Sequence, residues 1–185
     1  GQELAAVNQP FERLDELRDV EAHRRFRTLV EQGASEEEAW AQVLASTRDH
    51  ARAPIAWDAS PAGGFTTGTP WLASRVDPGY SVAEQQRDPD SVLNHYRRLL
   101  ALRRGSRALR FGEVEFIEPE RAGCFAWVRR DAAEAFLVEL NLTDQPLECP
   151  PSRPAARLVL ASHAAHQEGT LAPYESRVSR LTAPE

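Results

Sequence analysis

Near residue 105 the spacing of apolar residues changes from about 3.6 to 2, and no single layer of structure satisfies both periods. Before the change, Val92, Leu93, Tyr96, Leu99 and Leu100 fall on one helical face. Asp88 can cap that helix, Pro89 suits its first position, Arg103 and Arg104 complement the dipole in the last turn, and Gly105 stops it. The spacing predicts a helix over 89–104. After the change, residues 113–116, 124–129, 135–142, 157–161 and 176–181 read as short strands separated by turn residues, the signature of an antiparallel sandwich. A domain boundary is expected near 105–110.

Upstream the pattern is helical and then vanishes. Leu14, Leu17, Val20, Phe26, Leu29 and Val30 predict a helix over 12–32, ended by Gly33. Ser35-Glu36-Glu37-Glu38 is a capping box, followed by Trp40, Val43 and Leu44 on one face of a second helix over 36–46. From Thr47 to Gln86 the periodicity is lost and Pro and Gly recur. An irregular stretch of this length is uncommon in a compact domain and is usually functional.

Composition narrows the function classes. The 185 residues carry 22 basic and 28 acidic side chains, a net −6, and every basic residue is arginine. Binding to nucleic-acid phosphates draws its affinity from counterion release by a basic face. This chain is net acidic with its basic residues spread along its length, so no nucleic-acid partner is expected. Mean hydropathy is −0.50 and no apolar run approaches the ~20 residues of a bilayer span, so no membrane partner is expected either. Cys124 and Cys149 stand apart with no Cys-x-x-Cys pair, which excludes a zinc knuckle; a single disulfide is open to them, and two free core thiols in a reducing, cytoplasmic setting are the favoured reading. The chain has no Met and opens Gly-Gln-Glu, so it is expected to be a piece of something longer.

The irregular stretch carries the residues that make the chain recognisable. Thr47-Arg48-Asp49-His50-Ala51-Arg52-Ala53-Pro54-Ile55-Ala56-Trp57-Asp58 resembles the "S-R-D-N/H-A-R-T-P-M-Q-W-D" segment of the α-glucosidases and oligo-1,6-glucosidases of glycoside hydrolase family 13. Ala62-Gly63-Gly64-Phe65-Thr66-Thr67-Gly68-Thr69-Pro70-Trp71 is similar to the "N-A-G-F-T-T-G-K-P-W" that follows it there. Residues 88–99 resemble the family's last barrel helix, and Gly1-Gln2-Glu3-Leu4 the end of its "Y-Q-G-E-E-I-G" run after the eighth barrel strand. Leu17-Arg18-Asp19-Val20-Glu21 is similar to "Y-R-D-I-E", and residues 171–178 to the terminal "L-x-P-Y-E-A-R-V" strand. Six matches in order across nearly the whole chain make the resemblance specific. Departures are modest: Ala5, Ala6 and Val7 stand for "G-M-T", Leu17 for Tyr, and Ser74–Glu84 is shorter than usual, which bears on chain-length preference.

The resemblance implies an α+β chain: the last loop and helix of a (β/α)8 barrel over 1–108, then an antiparallel β-sandwich over 109–185. It implies a parent that hydrolyses terminal α-glucosidic bonds of short glucose-containing oligosaccharides with retention, without cofactor or metal. Retaining hydrolysis needs two carboxylates about 5 Å apart. In the family these precede the position of Gly1, so no catalytic residue is expected here and the chain alone should be inactive. Glucosyl transfer or sucrose isomerisation in the same family is the alternative reaction. A free-standing carbohydrate-binding or interaction module is the alternative class.

Arg48 and Arg52 are the candidate substrate-binding residues. By resemblance an arginine of this motif lies at the subsite for the non-reducing-end glucose, and a guanidinium offers a fixed fork of donors to sugar hydroxyls or a pocket carboxylate. Arg48 is favoured for that contact; the other reading has an arginine bracing the loop against Asp49 or Asp58. His50 reads as a loop hydrogen-bonder rather than a general base. Trp57, Phe65 and Trp71 read as anchors of a long loop before sugar-stacking platforms, and Asp19 and Glu21 as a solvated helix face before outer subsites. Asn141-Leu142-Thr143 is a glycosylation sequon set inside a predicted strand. His163 and His166 lack a third metal ligand nearby.

Overall fold

The computed structural model describes residues 1–73, 78–117, 123–148, 156–165, 167 and 169–182. Contacts divide the chain into two units, Gly1–Asn94 and His95–Glu185.

In the first unit α1 spans Val20–Glu31 and α2 spans Glu36–Leu44. The helix expected from residue 12 starts at 20, because Asp19 takes the cap and accepts the Glu21 N–H. Leu14–Glu16 form only a short 3-10 turn, and Leu17 is extended and enters the core with Phe11, Ala22, Val43 and Leu72. Gly33, at φ +96°, turns the chain between the helices where a side chain would be strained. The capping box forms as expected: the Glu38 N–H donates to Ser35 Oγ at 3.2 Å, and the Ser35 N–H to Glu38 Oε2 at 2.9 Å.

The region from 47 to 86 is mostly irregular, with 3-10 turns at Arg48–Ala51 and Pro61–Gly64. It ends in a helix the spacing does not predict, α3 over Val82–Arg87, which has its own capping box in Ser81 and Glu84. The next helix, α4, covers Val92–Gly105 and begins three residues later than expected. Ser91 is the cap in place of Asp88: its Oγ accepts the Asn94 N–H at 3.2 Å and donates to the Gln85 carbonyl at 2.7 Å. A short α5, Arg107–Phe111, follows on the Ser106 cap.

The second unit is built on β1 Glu113–Ile117, β2 Cys124–Arg130, β3 Ala135–Asn141, β5 Ala156–Ala161 and β7 Ser176–Leu181. They form one antiparallel sheet in the order β1-β2-β3-β7-β5. All five strands match the alternation in the sequence to within a residue or so at their ends. Phe116 pairs with Trp127, and Val138 lies opposite both Trp127 and Val178. Ala108, Leu109, Phe136 and Val178 make the core on one side. A two-stranded ribbon joins β4 Leu147–Glu148 and β6 Thr170–Leu171. Asn141 ties it to the sheet, donating to the Gln145 carbonyl at 2.7 Å and the Ala172 carbonyl at 2.8 Å. The sequon amide is therefore buried and fully engaged, a structural hinge of the ribbon. Cys149 and His166 lie outside the described residues.

Candidate functional site

The site grows from one short turn, Arg48–Ala51, whose Asp49 N–H is capped by Thr47 Oγ1 at 3.3 Å. Irregular backbone must find partners for its polar groups among side chains, and here two aspartates supply them. Asp49 is completely buried, and its Oδ2 accepts the backbone N–H groups of Arg18 at 2.6 Å and Asp19 at 2.8 Å. Asp19 answers in the other direction: its Oδ2 accepts the backbone N–H of Arg48 at 3.1 Å and the Arg48 Nε–H at 3.0 Å, and its Oδ1 accepts from Arg48 Nη2. Each strand of the neck thus caps the other.

The bidentate Arg48 fork, with further N–H donors, holds the Asp19 carboxyl far below the usual carboxylate range despite its burial. Arg48 in turn is raised above its ordinary value, first by the hydrogen bond to Asp19. Its Nε and Nη2 are engaged by Asp19, while the side chain stays 59% exposed.

Arg52 is placed differently. Its nearest partner is the second Asp49 oxygen, Oδ1, at 3.5 Å, and that oxygen accepts no hydrogen bond although it is buried. Arg52 also lines a cavity of about 560 Å³ together with Gln9, His50, Pro54, Ile55 and Tyr80. His50 has both ring nitrogens engaged: Nε2 lies 2.6 Å from the Leu44 carbonyl, and Nδ1 accepts the Gln9 N–H at 3.1 Å. That pattern fixes the neutral tautomer protonated on Nε2 and leaves no lone pair for base chemistry. Among the described residues, no aspartate or glutamate lines this cavity. It can hold a polar ligand by one guanidinium and several neutral groups, but it has no carboxylate pair to protonate or attack a glycosidic bond.

Of the candidate residues, the structure brings His50 and Arg52 to the cavity and directs Arg48 and Asp19 to each other. Trp57, Phe65 and Trp71 are half-exposed and do not line it, and Glu21 is exposed on α1. Tyr80 and Gln9 belong to the site without having been singled out for it, and Asp49, named only as a brace for an arginine, also holds the Arg18 and Asp19 N–H groups. Only Asp49 carried a usable signal, a carboxylate between two arginines in the motif. His163 bonds Ser162 at the surface of the other unit.

Residues 1–112 match the family model described as "Alpha amylase, catalytic domain". The chain belongs to the alpha-amylase family. Among relatives of this alpha-amylase family chain, the probable oligo-1,6-glucosidase 2 of Bacillus subtilis is 32% identical over 98% of this chain and 34% of its own length. The trehalose-6-phosphate hydrolase of the same organism is 34% identical over 100% of this chain and 35% of its own length. Among solved structures, trehalulose synthase MutB of Pseudomonas mesoacidophila MX-45 superimposes with a TM-score of 0.86 at 34% identity, covering 98% of this chain and 34% of that one. Isomaltulose synthase PalI of Klebsiella sp. LX3 gives 0.85 at 28% identity, covering 98% of this chain and 34% of that one. The chain spans about a third of the length of the relatives it matches.

Proposed function

We propose that this chain is the C-terminal part of a retaining α-glucosidase acting on terminal α-glucosidic bonds of short glucose-containing oligosaccharides. Residues 1–108 would supply the last loop and helix of its (β/α)8 barrel and 109–185 a C-terminal sandwich domain, made of the five-stranded sheet and its ribbon. In such barrels the loops after the strands build the active site, which is where the Arg48–Arg52 turn would lie. The catalytic carboxylates would precede residue 1, so the chain by itself would bind without turning over. A cytoplasmic setting goes with this reading.

The observation that carries it is the placement of Arg52 on the cavity wall beside a buried aspartate oxygen that accepts no hydrogen bond. A cation loosely held in this way can turn a donor fork toward a sugar hydroxyl. In place of the Arg48 contact favoured from the sequence, we assign the sugar contact to Arg52 and the bracing of the neck to Arg48; the cavity-wall position of Arg52 and the Arg48–Asp19 fork support this division. Losing a charge-assisted partner in a desolvated pocket costs about 1–3 kcal/mol. In the whole protein Arg52→Ala is expected to lower kcat/KM on maltose or isomaltose by roughly 10- to 100-fold with little change in Tm. Arg48→Ala is expected to lower Tm more than activity. Full activity of Arg52→Ala would defeat the assignment.

A second reading, sucrose isomerisation, is favoured by the two sucrose-isomerising synthases among the structural neighbours. Product analysis with sucrose separates them: glucose and fructose support hydrolysis, trehalulose or isomaltulose the isomerase. A free-standing carbohydrate-binding module is excluded if the reading frame continues upstream into barrel strands with their carboxylates.

A further inference from the structure

One flank of α4 lines an apolar groove of about 290 Å³ with Trp127, Leu140 and Leu160 of the sheet. Much of its remaining surface is basic. Residues 91–112, which hold α4 and α5, carry six arginines and no aspartate or glutamate. The whole chain is net −6, so everything outside this segment sums to −12. Arg97, Arg98, Arg103, Arg104, Arg107 and Arg110 are all exposed. Arg97 and Arg104, seven positions apart, share one face of α4. A helix dipole asks for cations in the last turn, where Arg103 and Arg104 stand in α4 and Arg110 in α5. Arg97, Arg98 and Arg107 lie outside those turns, so the dipoles do not account for them. Arg107 meets Asp131 at 3.7 Å, yet its side chain stays 83% exposed. Arg110 lies over the exposed Phe111 ring at 4.6 Å.

The opposite charge collects at the tip of the α1–α2 hairpin. Residues 28–47 carry Glu31, Glu36, Glu37 and Glu38 and no basic residue. All four glutamates are exposed. Glu38 serves the capping box, which makes no use of the other three. The hairpin closes at the Asp19–Asp49 neck, and the 12 residues of α1 carry its tip about 18 Å from that neck at 1.5 Å per residue.

A lone exposed ion pair contributes little. Clusters of one sign act differently: they attract a complementary patch across a Debye length, fix its register and reject surfaces of like charge. We propose that the arginine face of α4 and α5 docks the acidic hairpin tip of a second copy of this chain. Charge complementarity selects the occupant, since every copy carries both halves of the contact, the acidic one in the first unit and the basic one in the second. The two surfaces differ, so the contact is heterologous. It grows into a ring or an open row of copies and does not stop at a symmetric dimer. It is independent of the reaction at the cavity.

The test is sedimentation of the whole protein, with and without nuclease treatment. At about 50 mM salt its mass should rise with concentration, and association should weaken at least about tenfold by about 500 mM, where the Debye length is about threefold shorter. Arg97→Glu with Arg104→Glu, and separately Glu36→Arg with Glu37→Arg, should each be monomeric, every variant first being checked for a native melting transition. Mixed in equal amounts the two should associate again, because each then offers the other a surface of opposite sign. All four changes in one chain should restore association as well. Arg97→Gln with Arg104→Gln, which removes charge without reversing it, should weaken association and replaces the reversal if that variant does not fold. A whole protein that stays monomeric at low salt overturns the proposal, as does a mixture of folded variants that fails to associate. Association that disappears on nuclease treatment overturns it in favour of a nucleic acid on the arginine face.

Discussion

The two units hold their chain by opposite means. In the first, polar groups of an irregular backbone are satisfied by side chains reaching across long sequence distances: Asp49 to residue 18, Asp19 to residue 48, and Gln85 to the Leu4 carbonyl at 2.8 Å. In the second, strand ladders satisfy the backbone, and the side chains are left to pack. A single substitution can therefore undo a loop in the first unit, whereas the sheet yields only where its interior carries charge. Glu175 and Arg177 are that exception. Both are buried, Arg177 Nε donates to Glu175 Oε1 at 2.6 Å, and the same guanidinium donates to the Gln167 and Thr170 carbonyls.

The contrast can be broken most forcefully at that pair. Arg177→Ala removes the counter-charge of a buried carboxylate, which among the described residues keeps only the Ala172 N–H at 2.7 Å, and a donor to two carbonyls, and it is expected to destabilise the second unit by about 3–5 kcal/mol. Hydrogen exchange resolved by segment should show the loss at 135–141 and 176–181 and none at 18–50. Next in size, Asp49→Ala strands two buried N–H groups, with an expected loss of about 2–3 kcal/mol confined to the first unit. Uniform loosening of both units would show that the division is not energetic. Ser35→Ala removes one half of a capping box and should cost about 1 kcal/mol, read as a lower denaturation midpoint with fraying of α2 alone.

The smallest effect sharpens the comparison by pH. Burial raises the Glu139 carboxyl above its ordinary 4.5, with Arg177 opposing and Glu175 adding to the rise. An acid that binds its proton more tightly when folded contributes most below pH 4.5, and that contribution fades as pH climbs through the raised value. Glu175 has the reverse sign: burial alone would raise it, but the Arg177 and Ala172 donors outweigh that and lower it. Its contribution is full above pH 4.5 and is lost as pH falls. Glu139→Gln should thus flatten the decline of second-unit stability between about pH 4.5 and neutrality, leaving the acid-side loss in place. An unchanged slope in urea titrations across that range would dismiss the Glu139 account.

How much could be read in the sequence follows the same division. The sheet strands were legible because alternation is local and repeated, and Ser35 with Glu38 was legible because a capping box lies within four residues. The Ser81–Glu84 box has the same spacing, but it sits among prolines and glycines where no apolar period draws attention to it. The start of α4 was not legible, since Asp88 and Ser91 are both competent caps and the choice rests on Ser91 reaching the Gln85 carbonyl. The motif residues Arg48 and Arg52 stood out, but which guanidinium meets the cavity depends on Asp19, 29 positions away, and no window of sequence holds that contact. The apolar stripe of α4 was plain in the sequence; the groove beside it was not, because Trp127, Leu140 and Leu160 come from three separate strands.

The reciprocal capping of Asp19 and Asp49 has a consequence for how this chain can be varied. Everything between them, α1, the Gly33 turn and α2, leaves and re-enters through one closed neck, with Ala22 and Val43 as its buried base. Length added or removed at the tip, around Gly33, changes a loop closed far from the cavity, and loop-closure entropy grows only slowly with length. The hairpin is in that sense a cassette: its tip is open to insertion, fusion or exchange between relatives, while the wall that bears Arg52 keeps its place.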